Sequence, residues 1–162
     1  MVYGCDPAWW RHRQGLRDYT GLKVAWKGAQ VDFPDLLRVD IARAGSGFAD
    51  KMLFDEVGKI GGGGNSGFQA LNLAVQLGAR RVLLIGFDMN DQGGPHWYGR
   101  NNWSGANNPD EMNFRRWRGA LDGAAETLKT RGVEVVNTSP FSSLKAFRKA
   151  SIAETLTAWG LA

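Results

Sequence analysis

One cysteine, Cys5, stands among 162 residues, so an intrachain disulfide cannot form and a cysteine-rich zinc site is excluded. Long apolar runs are equally scarce. No segment approaches the roughly 20 uninterrupted apolar residues of a membrane span, and the N-terminus lacks the basic-then-apolar order of a signal peptide. These absences lead to the expectation of a cytoplasmic protein with no membrane partner. Charge imbalance is small: twenty Lys and Arg against sixteen Asp and Glu give +4, which suits an anionic partner without identifying one. Part of that excess is local, since residues 1–30 hold Arg11, Arg13, Arg17, Lys23 and Lys27 against Asp6 and Asp18. A solvated face is the favoured reading there, ahead of contact with phosphate. Repeats and linkers are missing too. With 43% hydrophobic and 22% charged residues the chain has ordinary globular usage, and residues 1–162 are read as one domain with one core.

What is present begins with residues 61–89, GGGGNSGFQALNLAVQLGARRVLLIGFDM. Four glycines cannot hold a regular element, whereas Asn65 or Ser66 can cap a helix carrying Phe68, Leu71, Leu73, Ala74, Val75 and Leu77, stopped by Gly78. Arg81 to Phe87 follows, too short for a helix and apolar on both faces, as a central parallel strand should be. Further on, Asn108-Pro109-Asp110-Glu111 reads as a cap, a proline at the first helical position and two acids in the first turn. Phe114, Trp117, Leu121, Ala125 and Leu128 then recur at helical spacing, Gly132 ends the helix, and Val133 to Asn137 gives another strand. Strands joined by long helical connections are parallel, with right-handed crossovers, so the fold class is α/β. Met1–Gly4 and Leu22–Trp26 are read as strands, Pro7–Arg17 as a short helix, and Ala44-Gly45-Ser46-Gly47 as a turn or hairpin. Ser151 with Glu154 forms a capping-box pattern for a last helix through Trp159, closed by Gly160. Residues 31–60 are ambiguous, with Phe33-Pro34 blocking a helix locally.

Three places can carry chemistry. The turn Gly61 to Gly67 leads into a helix start, where unpaired N–H groups and the positive end of the dipole make an anion site. It is neither a Walker A loop nor a GxGxxG fingerprint, and a capped surface loop is the competing reading. The second place is Asp88 to Asn108, an aperiodic stretch that starts at a strand's carboxyl end, where open parallel sheets bind ligands. It offers Asp88, Asn90, Asp91, His96, Tyr98 and Arg100 with Trp97 and Trp103. Asp88 is read as a ligand-binding group or a local cap, and His96 as an acid/base group or a hydrogen-bonded structural histidine. The third is Cys5 to Arg13, where Trp9 and Trp10 between basic residues suit nucleic-acid stacking, although packing against a sheet is favoured.

The run Asn65-Ser66-Gly67, an apolar helix, Leu77-Gly78 and then Val82 to Asp88 as VLLIGFD resembles the core motif of the bacterial sialyltransferases that build lipooligosaccharide. The wider set includes flagellin-modification enzymes, archaeal-type pterin diphosphokinases and short phage or prophage proteins, and the chain is most similar to the last. YGCDPAW at Tyr3 to Trp9, HWYGRN at His96 to Asn101 and VVNTSPFSS at Val135 to Ser143 fall in the same order. The resemblance implies a Rossmann-like three-layer α/β domain with a mainly parallel central sheet, needing no metal for donor binding and no cofactor. It also implies an opening strand with a GNGPS-like phosphate loop, and this sequence starts after the place where that element should be. In the transferases the cytidine nucleotide contacts residues matching Asp6 and Asn65-Ser66-Gly67, and the basic histidine matches Arg100. A guanidinium, with a pKa above about 12, cannot act as that base, so Arg100 is expected to bind an anion.

The expected function is therefore binding of a nucleotide or nucleotide-sugar by a phage-encoded, glycosyltransferase-like protein of the bacterial cytoplasm. Asp6, Asn65, Ser66 and Gly67 would hold the nucleotide, and Asp88 and His96 would be catalytic. The rival is a degenerate, non-catalytic domain acting as a binding or assembly module; nucleic-acid binding ranks third. Donor, acceptor and oligomeric state are left open.

Overall fold

A computed structural model describes residues 1–161, in two compact units: residues 1–76 with 101–108, and residues 77–100 with Pro109 onward. The first unit contains β1 (Val2–Gly4), α1 (Pro7–His12), β2 (Lys23–Trp26), β3 (Leu36–Ile41), β4 (Arg43–Ala44), β5 (Gly47–Phe48), β6 (Lys59–Ile60) and α2 (Ser66–Gln76). Four of its strands make a parallel sheet in the order β1-β2-β3-β6, with Tyr3 opposite Val24 and Val24 opposite Leu37. Because successive strand residues face opposite ways, neighbours in β2 belong to different layers. Val24 packs with Val39, Ile41, Ile60 and Leu73 of α2, while Ala25 packs with Trp10 of α1, Val31 and Leu36. Each face of this sheet is thus covered by its own apolar cluster.

Two features of this unit differ from the sequence expectation. The first helix stops at His12 rather than Arg17, because Gln14, Gly15 and Leu16 all take left-handed backbone, with φ of 50°, 68° and 52°. That reversal turns Leu16 into the cluster around Trp10. Strand β3 was hidden in the ambiguous stretch. Its partner β2 is reached through residues 27–35 without a helix, and the Arg38 guanidinium holds that crossover by donating to the carbonyls of Ala29 (3.0 Å) and Val31 (2.7 Å). The hairpin at Ala44 to Gly47 is present, pairing Arg43 with Phe48 and Ala44 with Gly47.

The second unit contains β7 (Arg81–Leu84), α3 (Glu111–Thr130), β8 (Glu134–Asn137), β9 (Arg148–Lys149) and α4 (Ile152–Ala158). Its parallel sheet has the order β7-β8-β9, so β8 and not β7 is the middle strand. Strand β7 ends at Leu84, Ile85 is 63% exposed, and Gly86 at φ 74° leaves the extended region, so the apolar run overstated the strand. The cap of α3 is Asp110 and not Asn108. Its carboxylate accepts from the Asn113 N–H at 2.9 Å while Asn113 Oδ1 accepts from the Asp110 N–H at 3.0 Å, a reciprocal box that leaves Pro109 just outside the helix. The Ser151–Glu154 box at the start of α4 forms as expected, with Trp159 as C-cap and Gly160 at φ 67°. The chain is an α/β fold with parallel sheets, and among the described residues no helix is long and apolar enough to cross a membrane.

Candidate functional site

In the first unit the carboxyl end of β1 meets the start of α2. Asn65 caps α2, its Oδ1 accepting from the Phe68 N–H at 2.9 Å. Ser66 Oγ accepts from the Cys5 N–H at 3.2 Å and lies 3.1 Å from Cys5 Sγ. The adjacent Asp6 caps α1, with Oδ1 accepting from the Ala8 N–H at 2.8 Å. Asp6, Asn65, Ser66 and Gly67 are therefore gathered around one strand end, with the positive end of the α2 dipole among them. Burial raises the Cys5 thiol pKa, and the Ser66 hydroxyl opposes part of that rise. The Tyr3 hydroxyl, also pushed up by burial, donates to Gln69 Oε1 at 2.9 Å.

The glycine turn ahead of α2 is held by a polar face of the same helix. Gln69 donates to the Gly62 carbonyl at 2.7 Å, and Gln76 donates to the Lys59 carbonyl at 2.7 Å. Asn72, fully buried, accepts from the Gly61 N–H (2.8 Å) and the Leu53 N–H (2.9 Å) and donates to the Leu53 carbonyl (2.5 Å). At Gly63, with φ 57°, a Cβ would lie 2.1 Å from the Phe68 ring, so the chain needs glycine there for packing as well as conformation. The apolar stripe of α2 does not reveal the role of Gln69, Asn72 and Gln76. Their spacing of three and four was the available signal.

The second unit has a cleft of about 570 Å³ beyond the end of β7, within the usual range for small-molecule sites. Asp88 and His96 both line it, together with Trp97, Phe114, Trp117 and Phe141. Trp97 and Phe141 are 92% and 79% exposed, an unusual display of large aromatic surface. The turn at its mouth is clamped: Asn90 Nδ2 donates to the carbonyls of Asp88 and Phe141, both at 2.9 Å, and Arg118 donates to the Met89 carbonyl at 2.9 Å. These bonds hold Met89 at φ 54°, a conformation that costs a non-glycine residue about 1–2 kcal/mol. The VVNTSPFSS stretch braces the opposite wall, since buried Asn137 donates to Ser142 Oγ at 2.8 Å and Ser142 Oγ donates to the Phe87 carbonyl at 2.6 Å. His96 stacks on Tyr98 at 5.0 Å between centroids, and partial burial lowers its pKa, keeping the imidazole neutral near pH 7.

No Lys or Arg lines this cleft, and Arg100, which is exposed, is not among its walls. The long aperiodic stretch is also divided. Trp103 belongs to the first unit, where it stacks on His12 with centroids 4.5 Å apart, and Asn101 pairs with Asn108 there. Trp10 is fully buried and donates from Nε1 to the Gly4 carbonyl at 2.9 Å, so it packs as expected. Among the described residues no group of three His, Cys, Asp or Glu side chains is arranged to hold a metal ion. Comparison with protein-family models, curated proteins and solved structures finds no match to this chain.

Proposed function

We propose that the protein binds a nucleotide or nucleotide-sugar and is glycosyltransferase-like, in keeping with the sequence resemblance. The observation that carries this reading is the contact of Ser66, which lies between Asn65 and Gly67 in the first turn of α2, with Cys5 at the carboxyl end of a parallel strand, next to Asp6. An anionic group suits that place, because the α2 dipole and its first-turn amides are directed at it. The Asp6 carboxylate is then an acceptor for a ribose hydroxyl. Taken by itself, the second unit's cleft, with aromatic walls and no cationic side chain, suits an uncharged ring. Asp88 and His96 are the acid/base groups of that cleft. A neutral imidazole near pH 7 is in the correct form to accept a proton from a hydroxyl.

A second reading, the non-catalytic binding module, has one observation in its favour. The Ser66 hydroxyl and one oxygen of Asp6 are already engaged in bonds that hold the fold. A thermal-shift screen of cytidine, uridine, adenosine and guanosine nucleotides and their sugar conjugates tests both. A ligand at 100 times its Kd adds about 2.7 kcal/mol of stability. Stabilisation by a nucleotide with no turnover of its sugar conjugate favours the module, and no stabilisation by any of them removes the nucleotide reading.

A further inference from the structure

The reversal after α1 builds a second polar site that the proposed function does not use. Gln14, Gly15 and Leu16 are three successive left-handed residues, two of them non-glycine, and such strain persists only where the surroundings enforce it. Here they do. The N–H groups of Gln14, Gly15 and Leu16 donate to the carbonyls of Arg11, Trp10 and Arg13 at 3.0, 3.0 and 2.9 Å, and Leu16 is anchored among Trp10, Val31 and Leu36. At Gly15 a Cβ would lie 2.6 Å from the Phe33 ring, so only glycine fits at the centre of the turn.

This rigid reversal sets Arg13 and Arg17 on one open groove of about 580 Å³ with His12, Asp18 and Tyr19. Nearby guanidinium groups are committed elsewhere: Arg11 donates to the Gln30 carbonyl at 2.8 Å, and Arg38 ties down the crossover. Arg13 and Arg17 are exposed. A planar guanidinium fork matches two oxygens of a tetrahedral oxyanion, and the turn fixes the backbone that carries both forks on one groove. The Asp18 carboxylate in the same lining limits the positive field, which fits one phosphate group better than a long polyanion.

We infer that the groove beside the Gln14–Leu16 reversal is a single-phosphate site, in which Arg13 and Arg17 grip the terminal phosphate of a small molecule or of a nucleic-acid end. It is separate from the Asn65–Gly67 turn, and it stands whether or not nucleotide binding is found there.

The test is NMR of the full chain with labelled arginine side chains, titrated with inorganic phosphate at constant ionic strength. The Arg13 and Arg17 Nε–H resonances are expected to shift saturably, in the wild type and equally in Gly67→Val. Arg13→Lys with Arg17→Lys keeps the charge and loses the forks, and it is expected to weaken phosphate at least threefold. A 5′-phosphorylated dinucleotide and its unphosphorylated form identify the source, the first alone binding if a nucleic-acid end is the natural ligand. With a longer single strand, engagement of one phosphate gives a slope of log affinity against log salt of about −0.7. Shifts that stay linear and match those caused by chloride, full retention of affinity in the double lysine variant, or a slope of about −3 or steeper would each overturn the inference.

Discussion

Ser66 Oγ accepts the Cys5 N–H at 3.2 Å and touches the Cys5 sulfur at 3.1 Å, joining the first residue of α2 to the residue after β1. Desolvation of the half-buried thiol raises its pKa, and the Ser66 hydroxyl offsets part of that rise. The folded state therefore favours the protonated thiol. Its contribution to stability is complete at neutral pH and is lost as pH rises past the ordinary thiol pKa of about 8.5. Native protein is expected to react with a thiol-specific disulfide reagent far more slowly than unfolded protein, and Ser66→Ala, which loses the hydroxyl that favours the thiolate, to react more slowly still. Equal rates for native and unfolded chains would mean that Cys5 is not shielded.

Asn72 is the polar centre of the glycine turn. Asn72→Leu keeps the volume but strands the N–H groups of Leu53 and Gly61 and the Leu53 carbonyl, so a loss of about 3 kcal/mol is expected in urea denaturation. A loss below about 1 kcal/mol would show that the turn finds other partners.

Capped helix starts and glycine stops at α2, α3 and α4 follow from local signals, although the end of α1 and the cap residue of α3 do not. The glycine turn, the Asn65 cap, the Ser151–Glu154 box and the stop at Gly132 each follow from a few adjacent residues. Strands β3 and β6 were not legible: β3 keeps Leu37 more than half exposed although it lies inside the sheet, and β6 is two residues long. The order of strands in each sheet depends on long-range pairing that no short window contains. Of the candidate residues, Asp6, Asn65, Ser66 and Gly67 sit together, as do Asp88 and His96, whereas Arg100 lies outside the cleft lining. The turn-holding amides of α2 escaped notice because polar residues within an apolar helix read as its solvent face.

His96 is expected to titrate below the ordinary histidine value of about 6.5 in an NMR pH series, since partial burial disfavours the imidazolium. A midpoint above 6.5 would mean that an acidic neighbour dominates. The sequence resemblance, which sets Arg100 in the place of a basic histidine, implies slow release of nucleotide from an activated sugar, and release is expected to fall by about 100-fold in His96→Ala. Residual release that is unchanged in His96→Ala would place the proton transfer elsewhere.

Trp97 is 92% exposed, so Trp97→Ala is expected to change stability by less than about 0.5 kcal/mol. Fluorescence from the cleft should nevertheless respond to a sugar conjugate in wild type and lose most of that response in the variant. A large drop in stability would instead assign Trp97 a structural role.

The Asn65–Gly67 turn is proposed to take the phosphate of a nucleotide. Gly67→Val puts a branched side chain in the first turn of α2, where an anion would approach the amides, and leaves the Asn65 cap and the Cys5–Ser66 contact in place. Isothermal titration of cytidine monophosphate and its sugar conjugate into both proteins measures the difference. Wild type is expected to bind with a Kd on the order of 10 μM to 1 mM, equivalent to about −4 to −7 kcal/mol, and Gly67→Val at least tenfold more weakly at unchanged thermal stability. Equal affinity in the two proteins would contradict the account.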